Sequence, residues 1–129
     1  MILVDSDVLI QHLRGDPHAT EWLRAAYRAD PIAVSVISVV ELAGGMRSAE
    51  RREVWGLLAI TRVLPATEAI ARRAGELMRT YRRSHQGIGL GDYLIAATAI
   101  EHGCDLATLN TRHFPMFPDL QPPFRTMTN

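Results

Sequence analysis

Lysine is absent from this chain of 129 residues, and all 14 of its basic residues are arginine. That excludes catalysis by a lysine amine, whereas arginine suits planar, two-pronged contacts with phosphate. A single cysteine, Cys104, excludes an internal disulfide and fits a reduced, cytoplasmic setting; its expected role is a small buried filler. Net charge is also missing. The 14 arginines face 14 carboxylates, so the overall charge does not advertise a polyanion binder. No apolar run approaches the ~18 residues of a membrane span. No basic stretch precedes an apolar one at the amino end, so no secretory signal is expected. There is no serine elbow, and Gly87-Ile88-Gly89-Leu90-Gly91 lacks the lysine and the preceding strand of a phosphate-binding P-loop. The five histidines show no metal-ligand spacing and read as incidental.

What is present alternates between short apolar runs and helical patterns. Ile2-Leu3-Val4 reads as a buried strand ending at Asp5, with a helix starting directly behind it, capped by Ser6 or Asp7 and carrying Val8, Leu9 and Leu13 inward. Pro17 opens a second helix with Trp22, Leu23, Ala26 and Tyr27 inward. Ile32 to Ser35 is a second strand. Residues 37–46 are strand-like in composition, but Glu41-Leu42-Ala43 running into Gly44-Gly45 marks a helix and its stop. Ser48 to Ile60 is a helix with Val54, Trp55, Leu57, Leu58 and Ala59 on its apolar side, and Val63-Leu64 is a third strand. Thr67-Glu68 opens the longest helix, with Ile70, Ala71, Ala74, Leu77, Met78 and Tyr81 on one face. Tyr93 to His102 is almost wholly apolar and is stopped by Gly103; Leu106 to Leu109 is a fourth strand. The proline-rich end, from Pro115 to Asn129, has room for one short edge strand and a loose tail. Alternating strands and helices imply right-handed parallel βαβ units. The expected architecture is a three-layer α/β/α sandwich with a central, mostly parallel sheet of four to five strands, forming one domain over residues 1–129.

Three carboxylates stand out. Asp5 ends a buried strand, where open α/β sheets gather ligands. Glu41 lies in the apolar run Ile37-Ser38-Val39-Val40-Glu41-Leu42, although an exposed position on a partly buried helix also accounts for it. Asp92 follows a glycine-punctuated loop and enters a buried helix, where capping is an alternative role. Two carboxylates ~4 Å apart repel by about 4 kcal/mol at an effective dielectric near 20, so gathering three calls for protons or a multivalent cation. Hard oxygen donors without thiolates favour Mg²⁺, or Mn²⁺, over zinc. Such an ion is the usual apparatus of phosphoryl chemistry. Arg72, Arg73, Arg79, Arg82 and Arg83 cluster in one helical stretch, either as a solvated face or as a nucleic-acid surface.

Four segments resemble the motifs of PIN-domain nucleases, and more narrowly the VapC toxins of bacterial toxin–antitoxin pairs. They are Ile2 to Ile10, Ser38 to Leu42, Gly91 to Ala97, and Leu106 to Phe114, spanning nearly the whole chain. The resemblance implies a Mg²⁺-dependent endoribonuclease, a homodimer, held inactive by a VapB-type antitoxin. It implies that Asp5, Glu41 and Asp92 form the acidic metal site, Asp5 and Asp92 directly and Glu41 as ligand or as orienter of the attacking water. The family's fourth acidic position falls on Asn110, which offers an amide oxygen without charge. Asn110 and Ser6 complete the outer shell, and products should carry 5′-phosphates. Asp7 matches a variable position and ranks as a helix cap first, an outer acid second. The Trp55 helix and the arginine-rich helix are candidate dimer surfaces. Two rivals remain. Asp5-Ser6-Asp7-Val8 fits the Asp-x-Asp signature of haloacid-dehalogenase-type phosphatases, with Asp5 as nucleophile and Asp7 as acid, but the lysine such enzymes need is lacking. The other is a PIN-like module that binds RNA or a partner without cutting.

Overall fold

A computed structural model describes residues 1–126. Three apolar residues, Ile2–Val4, form β1, and the chain turns at once into α1, Ser6–Leu13. α2 follows at Pro17–Ala29, then β2 at Ile32–Ser35 and α3 at Val36–Gly45. A single 3₁₀ turn, Ser48–Glu50, leads into α4, Arg51–Ala59, so the expected helix from Ser48 is divided. β3 (Arg62–Leu64), α5 (Glu68–Tyr81), α6 (Leu90–His102) and β4 (Asp105–Ala107) complete the order, with a last 3₁₀ turn at Thr111–His113.

The four strands pair entirely in parallel in the order β3-β2-β1-β4. β1 is therefore central, and its register sets Val4 opposite Ala107. Alternation along the strands divides the core into two faces. Val4, Ile32 and Val34 pack with Val8 and Leu9 of α1, Leu23 of α2, Leu42 of α3 and Val54 and Leu58 of α4. Leu3, Ala33, Leu64 and Leu106 pack with Ile95, Ala96 and Ala99 of α6, Cys104 and Phe114. Ile70 and Ala74 of α5 close over Tyr93 and Ala97. The result is the expected α/β/α sandwich.

The helix ends follow local chemistry. Asp16 accepts from the amides of His18 and Ala19 and Pro17 fills the first turn, where no amide is needed. Gly103 takes the left-handed conformation (φ 63°) that ends α6, a geometry that costs other residues roughly 1 kcal/mol. Among the described residues, no helix is long and apolar enough to cross a membrane.

Several details depart from expectation. The cap of α1 is Asp5, which accepts from the Ser6 amide, and neither Ser6 nor Asp7. Asp5, the residue directly after β1, is still extended (φ −72°, ψ 154°), so it serves as cap without an intervening loop. Tyr27 is 51% exposed and Trp55 40% exposed, and Ala59 and Ala71 also face solvent. Up to Thr126 the end of the chain holds no strand and is not loose. Phe124 lies against Trp22, with ring centroids 6.3 Å apart, and the His18 ring is 2.7 Å from the Arg125 carbonyl. Met127 to Asn129 lie outside the described residues.

Candidate functional site

Asp5 leaves β1 at its carboxyl end, only 6% exposed, with its amide bonded to the Ala107 carbonyl of β4 at 2.9 Å. That pairing sets Thr108 beside it. The Thr108 hydroxyl donates to Asp5 Oδ2 at 2.8 Å and lies 3.3 Å from Asp7 Oδ2. A hydroxyl has one proton, and the shorter distance assigns it to Asp5. Asp7 accepts instead from the Leu109 amide at 3.1 Å, tying the first turn of α1 to the segment after β4. Its other oxygen, Oδ1, is buried and has no partner.

Glu41 and Asp92 join from opposite sides. Ser6 of α1 donates its hydroxyl to Glu41 Oε1 at 3.0 Å, and α3 packs on α1. At the start of α6, Gly91 faces α3, where an added Cβ would lie in ordinary contact with Ile37 Cγ2 at 3.4 Å. Asp92 reaches back to the Gly89 amide at 3.1 Å, so the expected capping role is real. The same oxygen lies 2.9 Å from His113 Nδ1. Asn110 Nδ2 is 2.8 Å from that nitrogen, and the Asn110 amide donates to the Thr108 hydroxyl at 3.1 Å.

A single polar arc thus runs from Glu41 through Ser6, Asp5, Thr108, Asn110 and His113 to Asp92. All four expected residues belong to it. Thr108 and His113 were not anticipated, and the reading of every histidine as incidental is corrected at His113. A polar threonine directly after the apolar strand Leu106-Ala107 was the available signal; for His113 there was only its place three positions beyond Asn110. Asp7 is drawn in as well, as an acid against Asp5 and not as a cap.

The electrostatics are strained in one direction. Burial, then the neighbouring Asp7 carboxylate, and to a lesser degree Glu41, push Asp5 up to about 7 from 3.8, against the pull of the Thr108 and Ser6 hydrogen bonds. Burial likewise raises Asp7, against the Leu109 hydrogen bond. A hard cation would offset this desolvation and repulsion, and the unpartnered Asp7 Oδ1 marks unsatisfied acceptor capacity. Among the described residues, however, no three His, Cys, Asp or Glu side chains stand close enough to cage one ion. The donors fit an ion that keeps most of its waters and takes one or two carboxylates, as Mg²⁺ does.

Two arginines of α5 are already engaged, Arg72 with Glu68 and Arg73 with Glu101. That leaves Arg79, Arg82 and Arg83 exposed at its carboxyl end. A cavity of about 330 Å³ between α1, α3 and α4 has Glu41 on its wall, with Arg14, Arg47, Leu42 and Val54.

Residues 2–118 match the PIN domain, and the chain belongs to that family. Its relatives lie on the VapC branch. It is 68% identical to Ribonuclease VapC10 of Mycobacterium tuberculosis over 124 residues, 96% of this chain and 93% of that one. It is 46% identical to Ribonuclease VapC19 of the same organism, over 96% of this chain and all of the relative. Among solved structures it resembles a toxin–antitoxin complex from Klebsiella pneumoniae, with a TM-score of 0.79 and 26% identity, covering 97% of this chain and 99% of that one.

Proposed function

We propose that this chain is a Mg²⁺-dependent endoribonuclease, with Mn²⁺ an acceptable substitute, and the toxin of a toxin–antitoxin pair. It is restrained by a VapB-type antitoxin, acts in the cytoplasm and works as a homodimer. The observation that carries the reading is the arc itself, which joins Asp5, Glu41 and Asp92 at the carboxyl end of a central parallel strand. The two named ribonucleases, similar over nearly the full length, support it.

When bound, a divalent cation supplies Lewis acidity, lowering the pKa of water and offsetting charge on the phosphate. Asp5 and Asp92 are the residues to hold it, and Glu41 either joins them or orients the attacking water. Ser6 fixes Glu41. Thr108 holds Asp5 Oδ2 and the Ser6 amide holds its Oδ1, while His113 with the Gly89 amide holds Asp92 by one oxygen, leaving the second oxygen of Asp92 for the site. Arg79, Arg82 and Arg83 are cations of the α5 stretch available for flanking phosphates.

The test is direct. Purified protein is incubated with structured RNA in Mg²⁺ or in EDTA, beside an Asp5→Ala protein. Cleavage in Mg²⁺ alone, by the wild type alone, with 5′-phosphate products, is the expected result. Cleavage that persists in EDTA or in Asp5→Ala sinks the mechanism; intact RNA in Mg²⁺ favours a binding module instead.

A further inference from the structure

The contacts around His113 fix where its ring proton lies, and with it the atoms that Asn110 has left to offer. Nδ1 stands 2.9 Å from Asp92 Oδ2. That oxygen already accepts from the Gly89 amide. An ionised carboxylate oxygen can only accept, so Nδ1 carries a proton whether the ring is neutral or charged. A protonated Nδ1 has no lone pair left to receive the Asn110 NH₂, 2.8 Å away. The bonding is consistent only if the amide oxygen faces the ring. The oxygen and nitrogen of an amide have nearly the same shape and exchange by a half-turn. In that orientation Nδ1–H is shared by two acceptors, Asp92 Oδ2 and Asn110 Oδ1. The oxygen of Asn110 is then spent, and its two N–H donors turn to the side where, in the other orientation, the amide oxygen accepts from nothing among the described residues.

We infer that Asn110 serves the site as a hydrogen-bond donor to an RNA phosphate oxygen and not as a metal ligand. His113 is the positioning residue that turns the amide and holds Asp92. This rests on the nuclease reading above. It assigns the fourth position of the site, where an acid would add a fourth negative charge, the opposite task of attracting the substrate's charge.

Mn²⁺ affinity without RNA, and KM and kcat on RNA in Mg²⁺, are measured for wild type, Asn110→Ala, Asn110→Asp, His113→Asn and His113→Gln. Circular dichroism melts confirm that each folds. Asn110→Ala should raise KM about tenfold or more, the loss of one charge-assisted hydrogen bond, with Mn²⁺ affinity changed by less than about twofold. Asn110→Asp should raise KM further without tightening Mn²⁺. The asparagine amide can replace Nδ1–H, so His113→Asn should stay near wild type in both readouts. Glutamine places its donor further out, so His113→Gln should lose in both. Nitrogen-15 spectra of the His113 ring should place the proton on Nδ1.

A tenfold weakening of Mn²⁺ binding in Asn110→Ala, or tighter Mn²⁺ binding in Asn110→Asp, overturns the inference. So does a His113 ring protonated on Nε2 alone, or equal behaviour of the two His113 variants. If the wild type binds Mn²⁺ but cuts no RNA, the nuclease reading fails, while the Mn²⁺ measurements and the ring spectra still decide how Asn110 faces.

Discussion

Replacing Asp5 by asparagine in the metal-free protein should make it more stable at neutral pH, although Asp5 is a residue proposed to hold the metal. Asp5 is raised from 3.8 to about 7 by burial and by Asp7. The gap of about three pH units corresponds to roughly 4 kcal/mol, at about 1.4 kcal/mol per unit. The folded protein keeps its proton to higher pH than the unfolded chain does. Between about pH 4 and pH 7 it therefore binds more protons than the unfolded state, and stability falls as pH rises through that window, levelling off above it. For a chain of this size roughly 4 kcal/mol is on the order of 10 °C in melting temperature. Asparagine still offers an oxygen to the Thr108 hydroxyl but carries no charge, so Asp5→Asn should lack this fall. The measurement is a set of thermal melts in EDTA from pH 4 to pH 8.5, read as the difference between variant and wild type. That difference should be small at pH 4, grow through the window in favour of the variant, and plateau above pH 7. Mg²⁺ should then stabilise the wild type at pH 8 far more than the variant. Parallel curves across the window, or a variant less stable at pH 8, would refute the account of Asp5 as a buried charge awaiting a cation.

Two further outcomes follow from the same group of side chains. Thr108→Val keeps the shape but removes the hydroxyl proton that Asp5 Oδ2 accepts, and should cost about 1–3 kcal/mol in urea melts at pH 8; a change within error would show that the hydroxyl contributes nothing. Asp7→Asn should shift the pH-dependent loss of stability to lower pH by relieving Asp5, while reducing RNA cleavage only a few-fold. Abolished activity in that variant would instead revive the phosphatase reading, in which Asp7 is the acid.

Much of the fold was legible because its signals are local. Three apolar residues before Asp5, the glycines after Leu42 and the apolar length of α6 each mark an element without knowledge of its neighbours. Asp5 and Asp92 were legible from a buried strand end and a buried helix entry, whereas Glu41, legible only from the apolar run around it, occupies the exposed position that was the alternative. Thr108 and His113 were not, because what brings them against Asp5 and Asp92 is the pairing of β4 against β1, and no local pattern carries that register. The same limit explains Asp7. Two positions from Asp5 it read as a cap, but its partner is the Leu109 amide, which only the closed sheet brings within reach. Tyr27 and the end of the chain failed for a related reason. Periodicity counts which residues could face inward, not how much of α2 the neighbouring elements cover.

The pairing of β1 with β4 also sets when the polar arc can assemble. Asp5 and Thr108 meet across 103 positions of sequence, and β1 lies between β2 and β4 in the sheet. During synthesis the first strand can find β2 early, but its other edge stays open until the last strand emerges. Contacts so distant in sequence form late, after the entropy of closing the intervening chain has been overcome. Before that moment a growing chain holds Asp5, Glu41 and Asp92 without the segment that aligns them. The polar arc is thus withheld from incomplete chains by topology alone and closes only as the final strand docks.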